Sequence, residues 1–132
     1  MLITKECDYA VRILRALSHH QIASAADISR EEHIPVQFAY KICRKLAKAG
    51  IIVSHRGTDG GYQMHMDIGE LSLYDICKAV DKDLMIAECM QPEALCSRNT
   101  CDRPCKVHKE FCRLQKVVIE EMSATKLSQL LV

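Results

Sequence analysis

The stretch Lys41-Ile42-Cys43-Arg44-Lys45-Leu46-Ala47-Lys48-Ala49-Gly50-Ile51-Ile52-Val53-Ser54-His55-Arg56-Gly57-Thr58-Asp59-Gly60-Gly61-Tyr62 decides the fold. Ile42 and Leu46 are four residues apart, and Phe38 and Ala49 extend the same inward-facing row at helical spacing. Gln37, Tyr40, Lys41, Arg44 and Lys48 then fall on the outer face. Gly50 is a C-terminal stop. Ile51-Ile52-Val53 is β-branched, His55–Gly61 is rich in turn formers, and Tyr62–Met66 alternates like a returning strand. A hairpin placed directly after an amphipathic basic helix is a wing.

Upstream, Thr4 is placed to cap a first helix whose first turn holds Glu6 and Asp8, complementing the helix dipole. Ala10, Val11, Leu14 and Leu17 form its inner face, and His19-His20-Gln21 ends it. Ser24 or Asp27 opens a short second helix towards His33. Ile34-Pro35 interrupts it, because proline disfavours helical geometry in the residue before it and suits the first turn of the next helix. Two short helices, a tight turn and a basic second helix make a helix-turn-helix. The expected fold is mainly α with a small β-hairpin: a winged helix-turn-helix followed by a long C-terminal helix.

Downstream, Ser72-x-x-Asp75 reads as a capping box, with Leu73, Ile76, Cys77 and Val80 facing inward. Residues 81–104 lack strong periodicity and form a loop. From Cys105, the residues Val107, Phe111, Leu114, Val118 and Met122 form a narrow apolar seam suited to a partner helix. Thr125 breaks that helix, and Leu127, Leu130 and Leu131 close the chain. Three segments result: 1–80, a winged-helix DNA-binding unit; 81–104, a cysteine-rich loop; and 105–132, a dimerisation helix with its tail.

The 132 residues allow one domain with a moderate core, and 48% hydrophobic against 27% charged residues describe an ordinary globular chain. Net charge is only +1, but its distribution is uneven. Between Val36 and Arg56 there are five basic residues and no acid, which marks a nucleic-acid face. Gln37, Tyr40, Lys41 and Arg44 are the helix candidates. Arg56 and Gly57 are the wing candidates, with Arg56 placed to follow the negative potential of a minor groove. A winged helix also serves as a protein-interaction module, and that alternative stays open here. No paired carboxylates, phosphate loop or Ser/His/Asp set points to an enzyme.

Five of the eight cysteines lie between Cys89 and Cys112, in the pattern Cys89-x6-Cys96-x4-Cys101-x3-Cys105-x2-His108-x3-Cys112. Residues Met1–Asp8 lack the basic-then-apolar layout of a secretory signal, and no run is long enough to span a membrane. A cytoplasmic chain keeps its thiols reduced, so clustered thiols there read as metal ligands or redox centres. Zinc is the rival metal, through Cys96, Cys101, Cys105 and His108. Cys7, Cys43 and Cys77 sit in apolar or helical context and read as core thiols.

The motifs Ile3-Thr4-Lys5…Asp8-Tyr9-Ala10-Val11-Arg12, Leu46-x-x-Ala49-Gly50-Ile51-Ile52-x-Ser54-x-Arg56-Gly57-x-x-Gly60-Gly61-Tyr62 and Cys89-x6-Cys96-x8-Cys105-x2-His108 together resemble the Rrf-two family of bacterial transcription factors. The resemblance covers essentially the whole chain. It implies a homodimer joined by the C-terminal helix, two winged helices on a palindromic double-stranded DNA operator, and an iron–sulfur cluster (2Fe–2S or 4Fe–4S) on Cys89, Cys96 and Cys105. Asp8 of the partner subunit, His108 or Cys101 are the candidates for a further ligand. Members that regulate without a cluster, through a partner enzyme, a small molecule or zinc, are the alternative reading.

Overall fold

Thr4 turns its hydroxyl onto the Cys7 amide and starts helix α1, Lys5–His19. The architecture is that of a computed structural model describing residues 3–82 and 84–131. Met1, Leu2, Asp83 and Val132, which belong to the segments expected above, lie outside the described residues. In α1 the buried residues are Cys7, Ala10, Ile13, Leu14, Ala16 and Leu17, with Val11 packed at the margin.

Helix α2, Ala25–Glu32, is capped by Ser24 rather than Asp27. The Ser24 hydroxyl accepts from the Asp27 amide at 3.1 Å while the Asp27 carboxylate accepts from Ser24, a reciprocal box. His33 ends α2 in the left-handed region, φ 54°, a conformation that histidine tolerates better than most non-glycine residues. Glu32 is buried and receives two bonds from Arg15, locking α2 to α1.

Helix α3, Val36–Lys48, buries Ala39, Ile42, Cys43 and Leu46. The expected inner face was rotated: Ile42 and Leu46 hold, but Phe38 is 41% exposed and Ala49 follows the helix end on the surface. Small residues explain the difference. Ala39 and Cys43 on the seam allow close approach to the neighbouring helices, which an inward phenylalanine would prevent. Phe38 instead sits edge-on to Tyr9 at 5.7 Å. Beyond α3, Gly50 takes φ 76°, the Gly50 amide bonds Ala47 O at 3.0 Å and the Ile51 amide bonds Leu46 O at 3.1 Å. These two bonds are the Schellman stop, and they draw Ile51 out of the expected strand.

Strands β1, Ile52–His55, and β2, Gly61–Met64, pair antiparallel with Ile52 opposite Met64 and His55 opposite Gly61. The hairpin is tied to the α1–α2 connection by two bonds, Ala23 N to Tyr62 O at 3.0 Å and Tyr62 N to Ala23 O at 2.8 Å. A winged helix therefore stands where the sequence places it.

Helix α4, Leu73–Val80, carries the expected Ser72–Asp75 box and buries Ile76, Cys77 and Val80 against α1 and α3. The loop after it contains one 3-10 turn, Glu88–Met90. Helix α5, Lys106–Ala124, has Gln115 as its buried residue. The Gln115 side chain accepts from Ile86 N at 2.9 Å and donates to Leu84 O at 3.0 Å, stitching the loop to the helix. Replacing Gln115 with leucine strands both backbone groups, at about 1–3 kcal/mol each for any that stay unhydrated. The expected result is a lower urea midpoint and faster amide exchange at Ile86.

After Thr125 the chain turns back. The short helix α6, Leu127–Leu130, bonds Leu127 N to Leu71 O at 2.9 Å, and Leu127 is fully buried. Along the α5 seam Val107 and Leu114 are exposed, Val117 is a further exposed apolar residue, and Met122 packs on the core. The unpartnered apolar stripe thus occupies the first two-thirds of α5 rather than its whole length.

Candidate nucleic-acid interface and metal centre

The amphipathic pattern that buries Ala39 and Cys43 turns Gln37, Tyr40, Lys41 and Arg44 outward on α3, and all four are exposed. Val36 and Phe38 join them as exposed apolar residues. Their exposure was not legible beforehand, because apolar residues at helical spacing read as core. The wing tip presents Arg56, Gly57, Thr58 and Asp59 to solvent. Behind the tip His55 Nε2 and Gln63 Oε1 are 2.8 Å apart. Burial pushes the Tyr62 hydroxyl pKa up, Cys43 and Tyr40 add to the shift and Arg44 opposes it, so β2 and α3 share one face.

The basic run is less free than its sequence suggests. Glu6 of α1 forms ion pairs with both Lys41 and Lys45, and Lys45 Nζ also donates to Val80 O at 2.8 Å. The acid that balances the run lies far away in sequence, where a local charge count cannot find it. Lys41 above all, and Lys45 after it, hold the Glu6 carboxyl below its ordinary value of 4.5. A carboxyl whose folded pKa is depressed adds stability above its unfolded value, and that contribution is lost as pH falls through the folded value. An NMR titration of the Glu6 side-chain carboxyl is expected to show a midpoint below that of Lys41→Gln protein.

The eight cysteines fall into two environments. Cys7, Cys43 and Cys77 are buried, and burial pushes Cys43 and Cys77 up to about 12. Those two thiols stay protonated at neutral pH and suit neither ligation nor attack. Cys96, Cys101 and Cys112 are exposed, and Cys89 and Cys105 are half-buried. Cys105 caps α5, its sulfur facing the His108 amide at 3.5 Å, while its own amide donates to Asn99 Oδ1 at 2.9 Å. His108 Nδ1 is buried without a hydrogen-bond partner among the described residues. A buried ring nitrogen without a partner, one turn from a thiol, is a candidate ligand atom.

The positions do not yet converge. Among the described residues no three His, Cys, Asp or Glu side chains form a metal-binding group. Asp8 is occupied by Arg12 at 3.0 Å, a first-turn carboxylate in a helical ion pair. The donors fit iron–sulfur ligation by chemistry, as soft sulfur ligands with a partnerless imidazole nitrogen one turn from Cys105, although they form no ligand group among the described residues.

A helix-turn-helix followed by a two-stranded hairpin defines the winged-helix class of folds. Residues 3–132 match the Rrf2 family model, described as an iron-dependent transcriptional regulator. The chain belongs to that family, the Rrf-two family resembled above. It is 30% identical over 93 residues to the protein aau3 of Rhizobium meliloti, covering 69% of this chain and 60% of that protein. It is 26% identical over 127 residues to the transcriptional regulator NsrR of Shouchella clausii, covering 94% of this chain and 79% of the relative. Among solved structures, CymR, the global cysteine regulator of B. subtilis, superposes with a TM-score of 0.74 at 19% identity, covering 98% and 95% of the two chains, and shows the same fold. No described helix is long and apolar enough to cross a membrane.

Proposed function

We propose that this protein is a homodimeric transcriptional regulator that reads a palindromic operator with α3 and the wing, under control of an iron–sulfur cluster held by Cys89, Cys96 and Cys105. The observation that carries the DNA reading is the exposed face of α3 beside a solvent-facing Arg56. Gln37 and Arg44 approach base edges and phosphates, Val36 and Tyr40 supply apolar and ring contacts such as those made with thymine methyl groups, and Arg56 with Gly57 enters the minor groove. Lys41 contributes after leaving Glu6. The unpartnered stripe of Val107, Phe111 and Leu114 supports pairing through α5, which would set the two recognition helices about one helical turn, roughly 34–36 Å, apart.

When bound, the cluster would supply a redox-sensitive iron centre at the loop. The chain's own part is to present three thiols, to hold Cys105 at the α5 N-terminus, and to offer His108 Nδ1 as a fourth donor. The second reading, regulation without a cluster, rests on the finding that no three His, Cys, Asp or Glu side chains form a ligand group among the described residues.

The DNA reading is tested by salt titration with a selected operator. Each lost phosphate contact reduces the slope of log K against log salt by about 0.9. Arg44→Ala and Arg56→Ala proteins are both expected to bind more weakly and with a flatter slope. Unchanged affinity and slope in both would move the DNA contacts away from α3 and the wing, whereas a wild-type protein that selects no operator at all would leave a protein-interaction module.

A further inference from the structure

The N-terminus of α1, the C-terminal ends of α3 and α4 and the first residues of the cysteine-rich loop line a cleft of about 870 Å³ that includes none of the loop cysteines and none of Gln37, Tyr40, Lys41, Arg44 and Arg56. Its charged lining is Lys5, Lys45, Lys48, Lys78 and Lys82 against Glu6 and Asp81, five cations to two anions. Ala49, Ala79 and Val80 form an apolar floor. Lys5 and Lys48 have no ion pair or hydrogen-bond partner among the described residues, and Lys78 lies over the Tyr74 ring at 5.7 Å. The positive end of the α1 dipole meets the negative ends of α3 and α4 here, so the field of the cleft is set by its lysines.

Independently, the cluster already binds one anion. Glu6 reaches into it and pairs with Lys45 and Lys41, with its carboxyl pKa lowered by them. An internal carboxylate held by two lysines shows how an external one is received. We propose that this cleft binds a small organic polyanion, carrying at least two phosphate or carboxylate charges, that competes with Glu6 for Lys45. The volume lies within the range of small-molecule sites, and a lining richer in lysine than in any other residue selects for an anion. Lys41 shares Glu6 with Lys45 and faces the recognition surface. Displacing Glu6 therefore frees Lys41, and occupancy is expected to tighten DNA binding. That coupling rests on the DNA reading above; the binding itself does not.

The test is isothermal titration of the full-length protein, without DNA, using pyrophosphate and citrate as the phosphate and carboxylate probes and adenosine as an uncharged control. Saturable binding of either polyanion, absent for adenosine, supports the cleft, and which one binds identifies the anion class. Lys5→Gln/Lys78→Gln protein, which leaves α3 and the wing untouched, is expected to bind at least about tenfold more weakly, with its thermal unfolding midpoint unchanged. Lack of saturable binding by both polyanions, or binding that the double variant leaves intact, overturns the proposal. If the double variant weakens operator binding while neither polyanion binds, the cleft is a DNA-phosphate contact instead.

Discussion

Anaerobically reconstituted protein is expected to lose its visible iron–sulfur absorption entirely when Cys89, Cys96 or Cys105 is replaced by serine, and to keep it when Cys101 or Cys112 is replaced. A cluster held by three thiolates has no spare sulfur, so removing one removes the colour rather than shifting it. His108→Ala and Asp8→Ala separate the two candidates for the fourth position. Asp8 already satisfies Arg12 at 3.0 Å, whereas His108 Nδ1 is buried and unpartnered, so loss of His108 should make the cluster the more labile of the two. Iron and sulfide analysis checks each variant. If Cys101 proves essential and Cys89 dispensable, the site moves to the Cys96–His108 segment and zinc becomes the better metal. If the wild-type protein takes up no iron and sulfide under the same conditions, regulation without a cluster stands.

The winged helix was legible because its signals are local. Ser24 with Asp27, Ser72 with Asp75 and Gly50 each act within three or four residues, and each appears as a cap, box or stop in the structure. Period also sufficed where residues are large and one-sided, as for Leu14, Leu17 and Ile76. It failed at Phe38, because periodicity alone does not say that the small Ala39 and Cys43 would form the seam. It also could not see pairings over distance. Glu6 with Lys41, Gln115 with Leu84 and Ile86, and Ala23 with Tyr62 each join residues far apart in the chain. The same limit applies to the loop: spacing names the thiols, but no periodic rule states how a chain without regular structure would bring them together.

Gly61→Ala is expected to unseat the wing. Gly61 reads in sequence as one of the turn formers of the His55–Gly61 stretch, but it has a further task. A methyl group there would lie 2.5 Å from Ala23 O, 2.7 Å from Ala23 C and 2.9 Å from Ser24 N. All three are backbone atoms beside the α2 cap, so the strain has no flexible side chain to absorb it. The methyl must therefore break the paired Ala23–Tyr62 bonds or displace Ser24 from its box. Overpacking of this kind costs about 3 kcal/mol, roughly 10 °C in a domain of this length. Thermal unfolding followed by circular dichroism gives the stability term. The wing term comes from operator titration: with the hairpin loosened, Arg56→Ala in the Gly61→Ala background should add little further loss, since Arg56 is already misplaced. Additive losses in the double variant would show that the wing keeps its position without the tie to Ala23.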